Sequence, residues 1–446
     1  MTKIHGILAL GTTALLAVAA YGGEDSSGSS GSTASARREQ EGEEATFGDR
    51  AAHGLKISPV TLNTTGASEH QKKMIGLGSY IVNAASDCAA CHSGSAGFLS
   101  GGNPFALDGA GHVVWTRNLT PDPATGLALT LDQFKEAIRT GRDFHPGATV
   151  QLVVMPWTTL RWSSDRDLEA IYAYLKAIPA INNTVPPDNK SDLPLPASTP
   201  FPKNSYTDGD VVRPLDFDHS SFSAGRGLEI SPRAQPTKLG GSKLEAYGLG
   251  SYIANSFTHC NDCHTHPDRT SDFSHINTPD FLTGGTVFKV PPPLQPVLKQ
   301  VRAMSANLKG AQHGFFGEST ATYETFRAII KTGTHADETP ARPLGFPMVL
   351  VAANLANLLE NDLFSVYTYV HNLPTTSGPS DVDHQTYARL CAVDSDCVTG
   401  ETCATATQEC VGGPCGSDVD CGACQTCGAG KCQAPAADSV CVATSQ

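Results

Sequence analysis

No block of lysine and arginine occurs anywhere in this chain, whose 44 acidic side chains outnumber 31 basic ones for a formal net charge of −13. Without a basic stripe there is no electrostatic footprint for nucleic acid. An acidic surface suits solubility and a partner with a basic patch, and says nothing of fold. Apolar runs are short as well. The run Ile7–Ala20 is too brief to span a bilayer comfortably. Methionine is scarce, with five in 446 residues: Met1, Met74, Met155, Met304 and Met348.

The apolar run follows Lys3 and His5, and Val18-Ala19-Ala20 offers small residues for cleavage before Tyr21. Residues 1–20 therefore read as an export signal. The leader resembles that of a bacterial lipoprotein, except that Tyr21 stands where such a leader carries its lipidated cysteine. The expectation is a periplasmic or extracellular protein without a lipid anchor. Residues 21–53, Gly/Ser-rich at first, read as a tether.

Cysteine is what the chain has in plenty. Its fourteen cysteines fit an oxidising compartment. Four lie in two copies of one sentence, "LGSYIVNAASDCAACH" at Leu77–His92 and "LGSYIANSFTHCNDCH" at Leu249–His264. The repeat extends far beyond this. "GLKISP" at Gly54–Pro59 returns at Gly227–Pro232 as "GLEISP", and "FLSGGNPF" from Phe98 returns from Phe281 as "FLTGGTVF". "FKEAIRTG" from Phe134 and "DLEAIYAYLKAIP" from Asp167 return from Phe326 and Asp362. The separation between matched residues grows from 172 (Cys88 to Cys260) to 195 (Asp167 to Asp362), as loop insertions accumulate between fixed elements.

The pattern predicts two tandem domains, residues 54–182 and 227–375, joined by a Pro-rich connector at 183–226 and followed by a Cys-rich tail at 376–446. A helix is expected over Lys72–Ala85. Thr130-x-x-Gln133 is a capping-box signal for a second. Leu168, Ile171, Tyr172 and Leu175 have helical spacing, as do Leu363, Val366, Tyr367 and Val370, and Pro179 and Pro374 close these helices. The expected fold class is all-α, with few helices, long loops and a centre for something else to fill.

Cys-x-x-Cys-His places two thiols one helical turn apart, for two vinyl groups, and an imidazole next to them to reach iron. Cys88, Cys91 and His92 would hold one covalent c-type haem, and Cys260, Cys263 and His264 a second. A structural zinc, disulfides or a redox dithiol are the bland readings. None of them requires a histidine after each pair, or a duplicated domain around it. For the sixth iron ligand, Met155 and Met348 stand at matched positions; His145 and His335 are the alternatives. Met304 matches Trp115 and reads as packing, and Met74 has no counterpart. His112, His259, His266 and His371 lack matched partners and read as surface residues. Thioether opposite imidazole raises a haem's potential and leaves no open site, which favours electron transfer. The changed "SFTH" for "AASD" would tune the second potential through local polarity.

"DCAACHSG", "GGNPF", "WTRNLTPDPATGLALTLDQFKEAIRTGRD" and the "VMPW" to "LEAIYAYLKAIP" stretch resemble the c-type cytochrome subunits of bacterial membrane alcohol and gluconate dehydrogenases. The resemblance covers about Gly54–Pro374. It implies a carrier that takes electrons from a quinoprotein or flavoprotein dehydrogenase toward a respiratory acceptor, with Asn118 and Asn307 near haem propionates. That family usually carries three haem motifs and this chain has two, so the partner stays open. The rival readings are a dihaem peroxidase, and a surface protein whose tail is the interaction module at a membrane or cell surface.

The tail's ten cysteines repeat too. Cys391, Cys397, Cys403 and Cys410 match Cys415, Cys421, Cys427 and Cys432, leaving Cys424 and Cys441 as an extra clasp. Two disulfide-stapled units are expected, with connectivity left open. Cys421-x-x-Cys424-x-x-Cys427 resembles part of an iron–sulfur ligand set, but compartment and repeat favour disulfides.

Overall fold

The computed structural model describes residues 7–8, 46–107, 111–145, 152–189, 205–208, 211–214, 221–233, 236–265, 281–309, 315–317, 321–335, 342–374, 386–415, 421–422 and 425–434. The expected leader apart from Ile7–Leu8, the Gly/Ser stretch, much of the connector, His266, Cys424 and Cys441 lie outside the described residues.

Thr46 and Asp49 form a capping box that starts α1 (Phe47–Ile57) inside the stretch read as tether. Ser68 and Gln71 do the same for α2 (Glu69–Tyr80), which continues as a wider π-helical turn over Ile81–Ala85. The motif turn α3 (Cys88–His92) follows, then strands β1 (Pro104–Ala106) and β2 (Val113–Trp115). Helix α4 (Leu131–Thr140) has the expected Thr130–Gln133 capping box; α5 (Trp157–Leu160) and α6 (Asp165–Ala177) complete the first copy. The second copy repeats the order: α7 (Ala224–Ile230), α8 (Ser242–Ser256), motif turn α9 (Cys260–His264), β3 (Val287–Lys289), a short α10 (Gln295–Leu298), β4 (Gln300–Met304), α11 (Tyr323–Thr332), α12 (Met348–Leu355) and α13 (Glu360–Asn372).

The repeated Gly-Leu-Gly explains how these helices cross. A Cβ on Gly54 would lie 1.9 Å from Gly76 O, and one on Gly78 would lie 1.9 Å from Ala170 O. In the second copy the same additions at Gly227 and Gly250 would meet Gly248 O at 1.7 Å and Ser365 O at 1.8 Å. Backbone therefore touches backbone where α2 crosses α1 and α6, and where α8 crosses α7 and α13. Only glycine permits that approach. Ser79 Oγ donates to Gly54 O at 2.6 Å and Ser251 Oγ to Gly227 O at 2.7 Å, pinning each crossing.

The expectation of an all-α chain is corrected. Among the described residues helix makes up 43% and strand 13%, and the strands form several small sheets. Hairpin β1–β2 follows the first motif turn, and β3–β4 the second. Three of these four strands are three residues long, too short for a period of two to show, and the five of β4 do not alternate in burial. The connector braces the first hairpin: Val113 bridges Asn189, and Arg117 pairs with Asp188 at 2.6 Å. The tail braces the second, where β5 (Thr386–Arg389) adds antiparallel to β4.

The tail itself is two hairpins, β6 (Thr402–Ala404) with β7 (Glu409–Val411) and β8 (Thr426–Gly428) with β9 (Lys431–Gln433). Disulfides Cys391–Cys403 and Cys397–Cys410 staple the first unit; Cys415–Cys427 and Cys421–Cys432 staple the second. Each unit joins its first cysteine to its third and its second to its fourth. Glu409 is buried against Arg302 of β4, and Gln425 Nε2 donates to Glu409 at 3.0 Å.

The two copies share one core and exchange partners across it. Tyr80 donates to Asp362, and Tyr252 to Asp167. Arg50 forms a two-pronged pair with Asp362 at 2.8 and 2.6 Å, with its guanidinium 4.3 Å from the Phe222 ring centroid. His53 Nε2 meets Asn357 O at 2.8 Å, while Arg226 Nε donates to Trp162 O at 3.1 Å. Among the described residues no helix is long and apolar enough to cross a membrane.

Candidate functional site

Each motif occupies a single helical turn, so its two cysteines project from one side. All four thiols, of Cys88, Cys91, Cys260 and Cys263, are free. Burial pushes the Cys88 thiol up to about 12, and raises Cys91, Cys260 and Cys263 as well. The turns are held from outside. Asn103 Nδ2 donates to Cys91 O at 2.7 Å and Ser93 O at 2.8 Å.

The histidines are set identically. His92 Nδ1 lies 2.8 Å from Arg117 O, and His264 Nδ1 lies 2.8 Å from Ala306 O. A carbonyl only accepts, so Nδ1 carries the proton and Nε2 is left as the basic nitrogen. Burial lowers the pKa of both imidazoles, which favours the neutral, ligating form. The bracing carbonyls come from the segments just beyond β2 and β4. They are seated by Gly101 and Gly284, whose N–H groups donate to His92 O at 2.7 Å and His264 O at 2.6 Å. Both glycines have positive φ, 70° and 75°. A Cβ there would lie 2.5 Å from Arg117 C or Ala306 C. Sequence reasoning did not assign these glycines, although "SGG" and "TGG" stand matched in the two copies.

Met155 and Met348 are half-buried, and both pack against the main core, as Cys88 and Ala89 do. Their loops are closed alike. Leu152 N donates to Gly141 O at 2.8 Å and Leu344 N to Gly333 O at 2.9 Å. The matched carbonyls then take different donors: Trp157 Nε1 reaches Leu152 O at 2.9 Å, while Gln300 Nε2 reaches Leu344 O at 3.1 Å. Met74 is buried in α2 and Met304 lies in β4. His145 is exposed, whereas His335 is buried with its ring 6.3 Å from that of Phe315. Asn118 and Asn307 are buried, and the Asn118 amide points to Ile181 O at 2.8 Å and Thr125 Oγ1 at 3.2 Å.

His259 departs from expectation. It is not a surface residue: its side chain is 13% exposed and its Nδ1 lies 3.4 Å from Asp262 within the second motif. Burial alone would lower its pKa, but Asp262 and Asp87 outweigh that and raise it. Asp87 immediately precedes the first motif and also raises Cys263. Thr159 of the first copy donates to both Asp262 oxygens at 3.3 Å. The two motif turns thus flank one junction between the copies.

Free-thiol Cys-x-x-Cys-His turns, each with its histidine braced through Nδ1, are a donor set suited to c-type haem, and the chain resembles the cytochrome c subunits of dehydrogenases. No family model matches it. It is 24% identical over 326 residues to the fructose dehydrogenase cytochrome subunit of Gluconobacter japonicus, covering 72% of this chain and 57% of that one. It is 24% identical over 327 residues to the gluconate 2-dehydrogenase cytochrome c subunit of Pantoea cypripedii, covering 72% and 64%. The cytochrome c subunit of the quinone alcohol dehydrogenase of Gluconobacter oxydans (strain 621H) is 28% identical over 225 residues, 49% of this chain and 40% of that one. The chain therefore spans less than two thirds of the length of each of these relatives.

Proposed function

We propose that this protein is an exported dihaem cytochrome c that carries single electrons from a dehydrogenase to a respiratory acceptor. Cys88 and Cys91 would attach one haem and Cys260 and Cys263 the other, by thioether bonds. His92 with Met155, and His264 with Met348, would ligate the iron. A haem so held would supply a one-electron iron couple. The chain's own part is to fix the ligands. The Nδ1–H bonds to Arg117 O and Ala306 O set each imidazole's tautomer and orientation and raise its basicity. That matched pair of bonds, on two free-thiol turns, is the observation that carries the reading. The relatives' roles as dehydrogenase cytochrome subunits support the electron donor's class. The amino-terminal leader sequence supports export.

The test is an optical and magnetic spectrum of the purified protein, oxidised and reduced, with haem quantified per chain. Two low-spin haems with the far-red Met–Fe(III) band, unchanged by peroxide or carbon monoxide, are expected. One high-spin haem that binds either ligand would replace the carrier reading with a dihaem peroxidase.

A further inference from the structure

One stretch of backbone grips the segments of both proposed iron ligands of the second site. At one end, Ala306 O braces His264. At the other, Gln300 is 1% exposed and turns its carboxamide into the Met348 loop. Its Nε2 donates to Leu344 O at 3.1 Å, and its Oε1 accepts from Phe346 N at 2.9 Å. A carboxamide is one of few side chains that can serve a carbonyl and an N–H together. Phe346 lies two residues before Met348, so the clamp fixes the loop where it turns to present the thioether.

The tail pins that stretch from its far side. Thr386, Tyr387, Ala388 and Arg389 pair with Met304, Ala303, Arg302 and Gln300, and Leu390 N donates to Lys299 O at 3.0 Å. The first copy is built otherwise. Its matched carbonyl, Leu152 O, is served from within the loop by Trp157. By the spacing that relates Arg117 to Ala306, Gly111 stands where Gln300 does, with no side chain to reach across.

Resting on the reading that Met348 is the second site's sixth ligand, we infer that Gln300 is a positioning residue for it, holding the Met348 loop to the tail-backed strand, while the first Met loop holds itself. Removing the carboxamide strips two buried backbone groups of their partners and frees the loop to swing the thioether away. The first site has no such dependence.

The experiment uses the full-length, haem-loaded protein and three variants: Gln300→Ala, Gln300→Glu and Met348→Ala. The readouts are the far-red Met–Fe(III) band and an imidazole titration resolved by site. Gln300→Ala should diminish the band by the share of one haem, and tighten imidazole binding at one site about ten- to a hundredfold, leaving the other site unmoved. Gln300→Glu keeps the acceptor for Phe346 N and loses the donor to Leu344 O. It should shift the same site in the same direction, and carries the test alone if Gln300→Ala does not fold. Wild-type band and binding in both Gln300 variants, with half the band lost in Met348→Ala, would overturn the role of Gln300. A full band in Met348→Ala would instead overturn the ligand reading, and the positioning role with it.

Discussion

Tyr80 donates to Asp362 at 2.6 Å across the junction of the two copies, and Tyr252 returns the arrangement on Asp167 at 2.5 Å. Each hydroxyl also accepts a backbone N–H from the opposite copy, Leu359 at 3.0 Å for Tyr80 and Ser164 at 2.7 Å for Tyr252. The carboxylates differ in their company. Asp362 has the Arg50 guanidinium; Asp167 has the Ser221 hydroxyl at 2.5 Å and Phe222 N–H at 3.3 Å.

Burial raises the Asp167 carboxyl above the usual carboxylate range, and its hydrogen bonds only partly oppose that. A raised folded pKa means the folded state binds the proton more readily than the unfolded one. Its contribution to stability is full below the unfolded value and is lost as pH rises through the folded one. The wild type should therefore gain stability relative to Asp167→Asn as pH falls toward the unfolded aspartate value of about 4. Urea unfolding of both proteins across that window measures it; a pH-independent difference would contradict the assignment.

Asp362→Ala should be costly, because it leaves the Arg50 guanidinium buried without its carboxylate. Removing one member of such a pair costs about 3–5 kcal/mol, while replacing both by apolar residues costs much less. Arg50→Met with Asp362→Leu should thus be more stable than Asp362→Ala alone. A double-mutant cycle by denaturant unfolding decides the order.

Gly101→Ala should act on the first site and Gly284→Ala on the second. A methyl at either position strains a left-handed backbone by roughly 1–2 kcal/mol. It also pushes on the carbonyl that braces the histidine. A weaker Nδ1–H bond makes the imidazole a poorer donor, so that site's midpoint potential should rise while the other holds. Spectroelectrochemical titration would reject the bracing role if neither potential moved.

Cys391→Ser with Cys403→Ser opens one staple of the tail. The loss should be about 2–4 kcal/mol, felt mainly in that unit. Thermolysin should then clip the tail faster than in wild type, as followed by intact mass; an unchanged rate would mean that the remaining Cys397–Cys410 staple and docking on β4 suffice to hold the unit.

Much of this was legible in the sequence, because the chain repeats itself. The Thr130–Gln133 capping box and the closing helices needed only local pattern. The boxes at Thr46 and Ser68 carry the same signal and were equally readable. The hairpins were not, since three-residue strands cannot display alternation and β4 does not show it, and so an all-α class was expected. Gly101 and Gly284 stand matched in the sequence, yet their purpose depends on carbonyls brought up by the next strand. Tyr80 and Asp362 are also matched by Tyr252 and Asp167, but nothing local joins residues so far apart. His259 was misplaced because no local pattern reveals that it is buried or that Asp87 of the other copy acts on it.

The exchange of tyrosine and aspartate has the form of an isologous interface, in which one patch meets its own counterpart and residue i contacts j as j contacts i. That is how a two-fold homodimer is built. Here the two subunits are segments of one chain, so they occur in equal number and meet at a concentration set by their linker, not by expression level. Either copy alone would leave its aspartate without the other copy's tyrosine. The molecule is organised as a dimer that dilution cannot take apart.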